Sequence, residues 1–110
     1  MQKLFSYGTL QLKSVQIQNF GRILNGNTDL LEGYKLNYLE IRNKFVIDSS
    51  GTNKHPIITY SGSSNDQIEG VLFDLTEDEL KQADKYEVED YKRIKVKFKS
   101  GLIGWVYVSK

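Results

Sequence analysis

Three carboxylates, Glu87, Glu89 and Asp90, gather late in the chain between a helical pattern and a strand pattern. A carboxyl group moves protons to and from a substrate when its surroundings bring its pKa towards neutrality. Glu87 differs from its neighbours in setting. It follows Tyr86 directly, where the helix is expected to end and the chain changes direction, so its side chain can be turned inward. Glu89 and Asp90 read as solvated linker. The other stretch suited to chemistry lies near the opposite end, Leu4-Phe5-Ser6-Tyr7-Gly8-Thr9-Leu10. This short apolar run breaks at a glycine and presents consecutive backbone N–H groups beside an aromatic and a hydroxyl, a cradle for a carbonyl or a carboxylate.

Other reactive types are sparse. The single histidine, His55, sits beside Pro56 with no partner that the sequence names, and reads as structural or incidental. No serine stands in a nucleophile elbow and no cysteine occurs, so covalent catalysis has no evident nucleophile. Lys95, Lys97 and Lys99 recur with period two, extended by Lys92 and Arg93. That spacing is the solvated face of an amphipathic strand, and lysine there guards against edge-to-edge pairing.

The elements that must position these residues follow from the pattern. After the opening strand, Gln11 to Gln18 suits a short helix or turn. Asn25 to Asp29 carries turn chemistry, and Leu30 to Ile41 reads as a strand with Tyr34, Leu36 and Tyr38 on one face and a bulge at Gly33. Phe45-Val46-Ile47 is a short apolar run closed by a loop from Asp48 to Asn53. His55 to Tyr60 is β-prone, its proline limiting it to a strand start or a sheet edge. A second loop, Ser61 to Asp66, leads into a strand from Ile68 to Leu75 with Val71, Phe73 and Leu75 on one face. Thr76-Glu77-Asp78-Glu79 is a capping box, which predicts a helix from Glu77 to Tyr86 with Leu75, Leu80, Ala83 and Tyr86 as its buried stripe. Strands from Tyr91 to Lys99 and from Leu102 to Ser109 close the chain as a hairpin turning at Ser100-Gly101. Apolar residues on both faces of the last strand place it centrally or against a pocket wall. Together these predict a mostly antiparallel α+β domain, a curled sheet or small barrel with one main helix packed against it.

Length and charge bound the rest. The 110 residues fit one domain, residues 1–110. A net charge of +1, from 15 basic and 14 acidic side chains, gives no global field towards nucleic acid or an anionic membrane. No cysteine, no signal-like N-terminus and no run of about 18 apolar residues make a soluble cytoplasmic protein the expectation. One histidine excludes metal sites built on several imidazoles, and no acidic loop motif suggests an all-oxygen site, so neither metal nor cofactor is expected.

Five stretches, in order, resemble one known family. Leu4 to Leu10 looks like the N-terminal signature of the gamma-glutamylcyclotransferase-like superfamily, a first strand ending in Tyr-Gly-Ser/Thr-Leu. Leu31-Glu32-Gly33-Tyr34-Lys35-Leu36 resembles its second strand, and Ile68 to Leu75 its Val-x-Gly-x-x-Tyr/Phe-x-Leu. Leu80 to Glu87 followed by Tyr91-Lys92-Arg93 resembles its Leu-Asp-x-Phe/Tyr-Glu-Gly…Tyr-x-Arg, and Trp105 to Val108 its closing strand. The family's glycine after the glutamate is Val88 here, whose β-branch disfavours positive φ.

The resemblance implies a small mixed α+β barrel and an enzyme that cyclises the gamma-glutamyl group of a small compound to pyroglutamate, releasing an amine or amino acid. It places Glu87 on the general acid and base and Tyr7, Gly8, Thr9 and Leu10 on the substrate cradle, with Tyr107 lining the pocket. A small gamma-glutamyl compound is then the partner, with no nucleic acid, membrane or cofactor. The alternative is a non-catalytic module that keeps the pocket for binding or regulation.

Overall fold

The structure, a computed structural model, describes residues 1–40, 54–87 and 90–110, without the side chains of residues 39, 40, 54 and 55. The expectations for Ile41, Phe45 to Ile47, Asp48 to Asn53 and Val88, and for the His55 side chain, lie outside the described set.

Among the described residues, seven strands and two helices run in the order β1 (Gln2–Ser6), a 3₁₀ turn (Thr9–Gln11), α1 (Lys13–Phe20), β2 (Asn25–Glu32), β3 (Tyr34–Glu40), β4 (Lys54–Tyr60), β5 (Gln67–Leu75), α2 (Glu77–Tyr86), β6 (Tyr91–Lys97) and β7 (Ile103–Ser109). Five strands form one sheet in the order β2-β5-β1-β7-β6, and β3 pairs with β4 in a separate two-stranded sheet. Within the larger sheet β1 and β7 run parallel, Leu4 opposite Trp105, while β1 meets β5 antiparallel. The fold is therefore α+β with a mixed sheet.

Strand alternation makes a core on each face of that sheet. On one, Leu4, Phe73, Leu75 and Tyr107 pack against Val15 of α1 and Leu80, Ala83 and Tyr86 of α2. On the other, Phe5, Leu72, Val106 and Val108 pack against Ile58 of β4 and Tyr34 of β3. Phe5 stacks on Phe98 with ring centroids 4.9 Å apart.

The α2 expectation holds to the residue. Thr76 Oγ1 accepts from the Glu79 N–H at 3.1 Å, and Glu79 Oε1 accepts from the Thr76 N–H at 2.9 Å. This satisfies two backbone donors that an uncapped helix leaves open. Arg22 adds a two-pronged ion pair to the same glutamate, both N···O distances 2.7 Å, which joins the end of α1 to the start of α2.

Two expectations change. Asn25 to Asp29 is strand, because β2 pairs with β5 from Asn25↔Asp74 to Glu32↔Gln67 and that ladder overrides local turn preference. Gly33 is the corner between β2 and β3, where the chain takes φ 88°, open to glycine and strained for other residues. Tyr34 is buried while Leu36 and Tyr38 further along β3 are exposed, although Ile58 opposite Leu36 lies in the core.

The sheet curls without closing. Its edges are bridged where Lys99 N–H donates to the Leu30 carbonyl at 2.9 Å and Ser100 Oγ meets Asp29 Oδ2 at 2.5 Å. No ladder of paired strands joins β6 to β2 among the described residues, so the barrel of the expectation is an open one.

Candidate active site

The cavity with chemistry in it lies at the carboxyl end of β1. It is small, about 30 Å³, and Ser6, Tyr7, Gly8, Thr9, Leu10, Pro56, Glu87, Tyr91 and Tyr107 line it. Every residue singled out from the sequence, Tyr7 to Leu10, Glu87 and Tyr107, is in that lining. A larger open groove of about 700 Å³ lies over β2 and β5 and contains none of them.

β1 delivers one wall. After Ser6 the chain leaves the sheet through Gly8 and turns at Thr9 to Gln11, with Gln11 N–H on the Gly8 carbonyl and Leu12 N–H on the Thr9 carbonyl. The N–H groups of Thr9 and Leu10 have no hydrogen-bond partner among the described residues. Gly8 is needed for closeness, not for a special φ. A Cβ there would stand 3.0 Å from Pro56 Cγ, so a larger residue would push β4 off the site. Gln16, buried in α1, fixes the turn from behind: its Nε2 donates to the Leu10 carbonyl and its Oε1 accepts from the Leu24 N–H, both at 2.9 Å. Thr9 Oγ1 and the Tyr86 hydroxyl meet at 2.9 Å, tying the turn to α2.

α2 delivers the opposite wall. Glu87 is its C-terminal cap, its N–H bonded to the Ala83 carbonyl and its own backbone extended at φ −71° and ψ 141°. Leaving the helix there turns the carboxyl into the cavity, where burial first and the neighbouring Asp84 second push it up to about 8. The residue as a whole stays partly exposed. The carboxyl is its enclosed end.

Tyrosines complete the site. Tyr7 donates to the Tyr107 carbonyl at 2.6 Å, Tyr91 to the Pro56 carbonyl at 2.7 Å, and Tyr107 to Asp84 Oδ1 at 2.7 Å. Asp84 is also bound by Arg93, Nε to Oδ1 at 2.8 Å and Nη2 to Oδ2 at 3.0 Å, and the Arg93 guanidinium lies 4.3 Å from the Trp105 ring centre. Burial is the largest reason that all three phenols hold their protons well above the ordinary tyrosine range, and the Glu87 charge adds to it in each.

Sequence reasoning quoted Ser6, Pro56, Tyr91 and the pair Asp84 and Arg93 within longer stretches but gave none of them its own place in the site. Only the last two left a usable signal, a helix acid nine residues before an arginine at the start of a strand. Ser6, Pro56 and Gln16 are placed by tertiary packing. Among the described residues no group of three metal-ligating side chains occurs, and no helix is long and apolar enough to cross a membrane.

Residues 4–110 match the sequence pattern of the family described as Gamma-glutamyl cyclotransferase, AIG2-like. The chain belongs to this family. Solved structures share the fold of this cyclotransferase-family chain at low identity. A gamma-glutamyl cyclotransferase superimposes with a TM-score of 0.74 at 18% identity, over 99% of this chain and 66% of that one. An uncharacterised human protein gives 0.73 at 18% identity, over 99% and 66%. A protein of Arabidopsis thaliana with a known solution structure gives 0.71 at 20% identity, over 98% and 61%. The chain thus spans 61% to 66% of the length of these three proteins. No curated protein sequence matches it significantly.

Proposed function

We propose that the protein is a gamma-glutamyl cyclotransferase that converts the gamma-glutamyl group of a small amide to pyroglutamate and releases an amine or amino acid. The observation that carries this reading is the enclosed Glu87 carboxyl, with a proton affinity near neutrality, in one cavity with the open N–H groups of Thr9 and Leu10.

The reaction is intramolecular from the start. The α-amine of the substrate attacks the γ-carbonyl of its own residue, so the protein supplies orientation, a proton route and charge stabilisation in place of a covalent relay. Glu87 in its ionised form takes a proton from the attacking ammonium. The nitrogen then bonds to the γ-carbon while negative charge grows on the carbonyl oxygen, within reach of the Thr9 and Leu10 donors. Glu87 next protonates the departing nitrogen and the old C–N bond breaks. Of the three ammonium protons, one stays on the lactam nitrogen and two end on the leaving amine, which departs as an ammonium. The enclosed space takes the reacting end of such a substrate, and the leaving portion extends outward.

Incubation with gamma-glutamyl amino acids and with gamma-glutamyl-lysine, followed by assay of pyroglutamate, tests the proposal. Product is expected, with a rate reduced about 10²- to 10⁴-fold in Glu87→Gln, the usual contribution of a positioned acid/base. Equal rates would overturn the assigned role of Glu87. No product from any of these compounds would favour a binding module.

A further inference from the structure

A phenol has one proton to donate and an oxygen that can accept. At the three tyrosines around Glu87 the partners fix where each proton points. Tyr7 and Tyr91 face backbone carbonyls, of Tyr107 and Pro56, which can only accept. Tyr107 donates to Asp84, whose two oxygens also accept from Arg93. All three hydroxyl protons are thus committed to the protein. To any further partner these hydroxyls offer oxygen lone pairs alone.

The three are not equally open. The Tyr7 oxygen already faces the Ile58 N–H. No described donor reaches the oxygens of Tyr91 and Tyr107. Tyr91, Tyr107 and Glu87 line one cavity of about 30 Å³, room for one or two water-sized groups. A primary ammonium has that size and carries three donors.

We propose that Tyr91, Tyr107 and Glu87 form an acceptor cage for a primary ammonium group of the ligand, one N–H for each oxygen. Resting on the cyclotransferase reading, this ammonium is the α-ammonium of the gamma-glutamyl group, held with one proton on the carboxylate that must remove it. The Arg93–Asp84 pair then has a positioning role: it keeps the Tyr107 proton turned away, so that Tyr107 meets the ammonium as an acceptor. A substrate whose amine is blocked or missing leaves these oxygens without donors and is rejected, because buried polar atoms left unpaired are costly.

The test compares two probes that differ only in that group, L-glutamine and glutaramate, its deamino analogue, by calorimetric titration of the full chain. L-glutamine is expected to bind at least 10-fold more tightly to the wild type. In Tyr91→Phe and in Tyr107→Phe that ratio should shrink several-fold with glutaramate affinity unchanged, and the thermal transition of each variant checks that it is folded. Equal binding of the two probes to the wild type, or no binding of L-glutamine, overturns the cage without recourse to any variant. An unchanged ratio in a folded Tyr91→Phe or Tyr107→Phe protein overturns the place of that phenol in it. The pyroglutamate assay reports separately on catalysis: a protein that prefers L-glutamine yet forms no product keeps the cage and loses the cyclotransferase reading.

Discussion

Asp84 stands one helical turn before Glu87, and the two carboxyls have opposite surroundings. Asp84 binds Arg93 through both oxygens and accepts from Tyr107. Glu87 has no ion pair among the described residues and feels the Asp84 charge across the turn. Of the two, Glu87 is the acid whose burial and charged neighbour make it keep its proton towards neutrality.

Removal of the Asp84 charge in Asp84→Asn is therefore expected to lower the Glu87 titration from about 8. Arg93→Gln, which leaves Asp84 uncompensated, should raise it. The other titratable groups that interact with Glu87, Tyr7 and Tyr91 and Tyr107, stay neutral through this range because burial raises all three. Carboxyl ¹³C NMR of Glu87 reads both shifts, and a midpoint unmoved in both variants would remove the coupling.

Cyclisation by the proposed route needs ionised Glu87 to begin. The rate at low substrate should climb as pH rises and level off above about 8, the point at which the carboxyl gives up its proton. A profile flat from pH 6 to 9, measured as pyroglutamate formed per minute, would assign the proton transfer elsewhere.

The same group has a consequence for stability. Glu87 is pushed up from 4.5 to about 8 on folding. Between those values the unfolded chain has lost a proton that the folded chain keeps, so stability falls as pH rises through the window and the cost is complete above it. Glu87→Gln should therefore unfold at higher denaturant than the wild type near pH 7, by about 1–3 kcal/mol after discounting partial solvation, and show little difference at pH 4. A variant less stable than the wild type at pH 7 would contradict the enclosed carboxyl.

Thr76→Ala removes the side-chain half of the capping box and should cost about 1 kcal/mol in urea unfolding. Because α2 carries Asp84 and ends at Glu87, the variant should retain the fold while the helix start frays.

Helix α2 and the closing hairpin were legible in the sequence because their signals are local. A capping box, a buried stripe and a period-two lysine row need no knowledge of the rest of the chain. The strand from Asn25 to Asp29 was not legible, since its residues favour turns and only pairing with β5 makes them extended. At the site, chemistry-bearing residues at the two ends could be named, and the family resemblance joined them. The outward-turned protons of Tyr7, Tyr91 and Tyr107 depend on a carbonyl 100 residues away, one 35 away and an aspartate 23 away, and no local pattern carries such pairings.

The parallel pairing of β1 with β7 sets a condition on when the site can exist. The cradle lies at the start of the chain and the tyrosine that holds Tyr7 near its end, so nearly the whole chain must be closed into a loop before Tyr7 meets its acceptor. Loops that long close late and at high entropic cost. Helix α2 with Glu87 can form early on its local signals, but in a half-folded chain it faces no donors and holds no ammonium. Glu87 and the turn after β1 come together only once the long loop between them has closed.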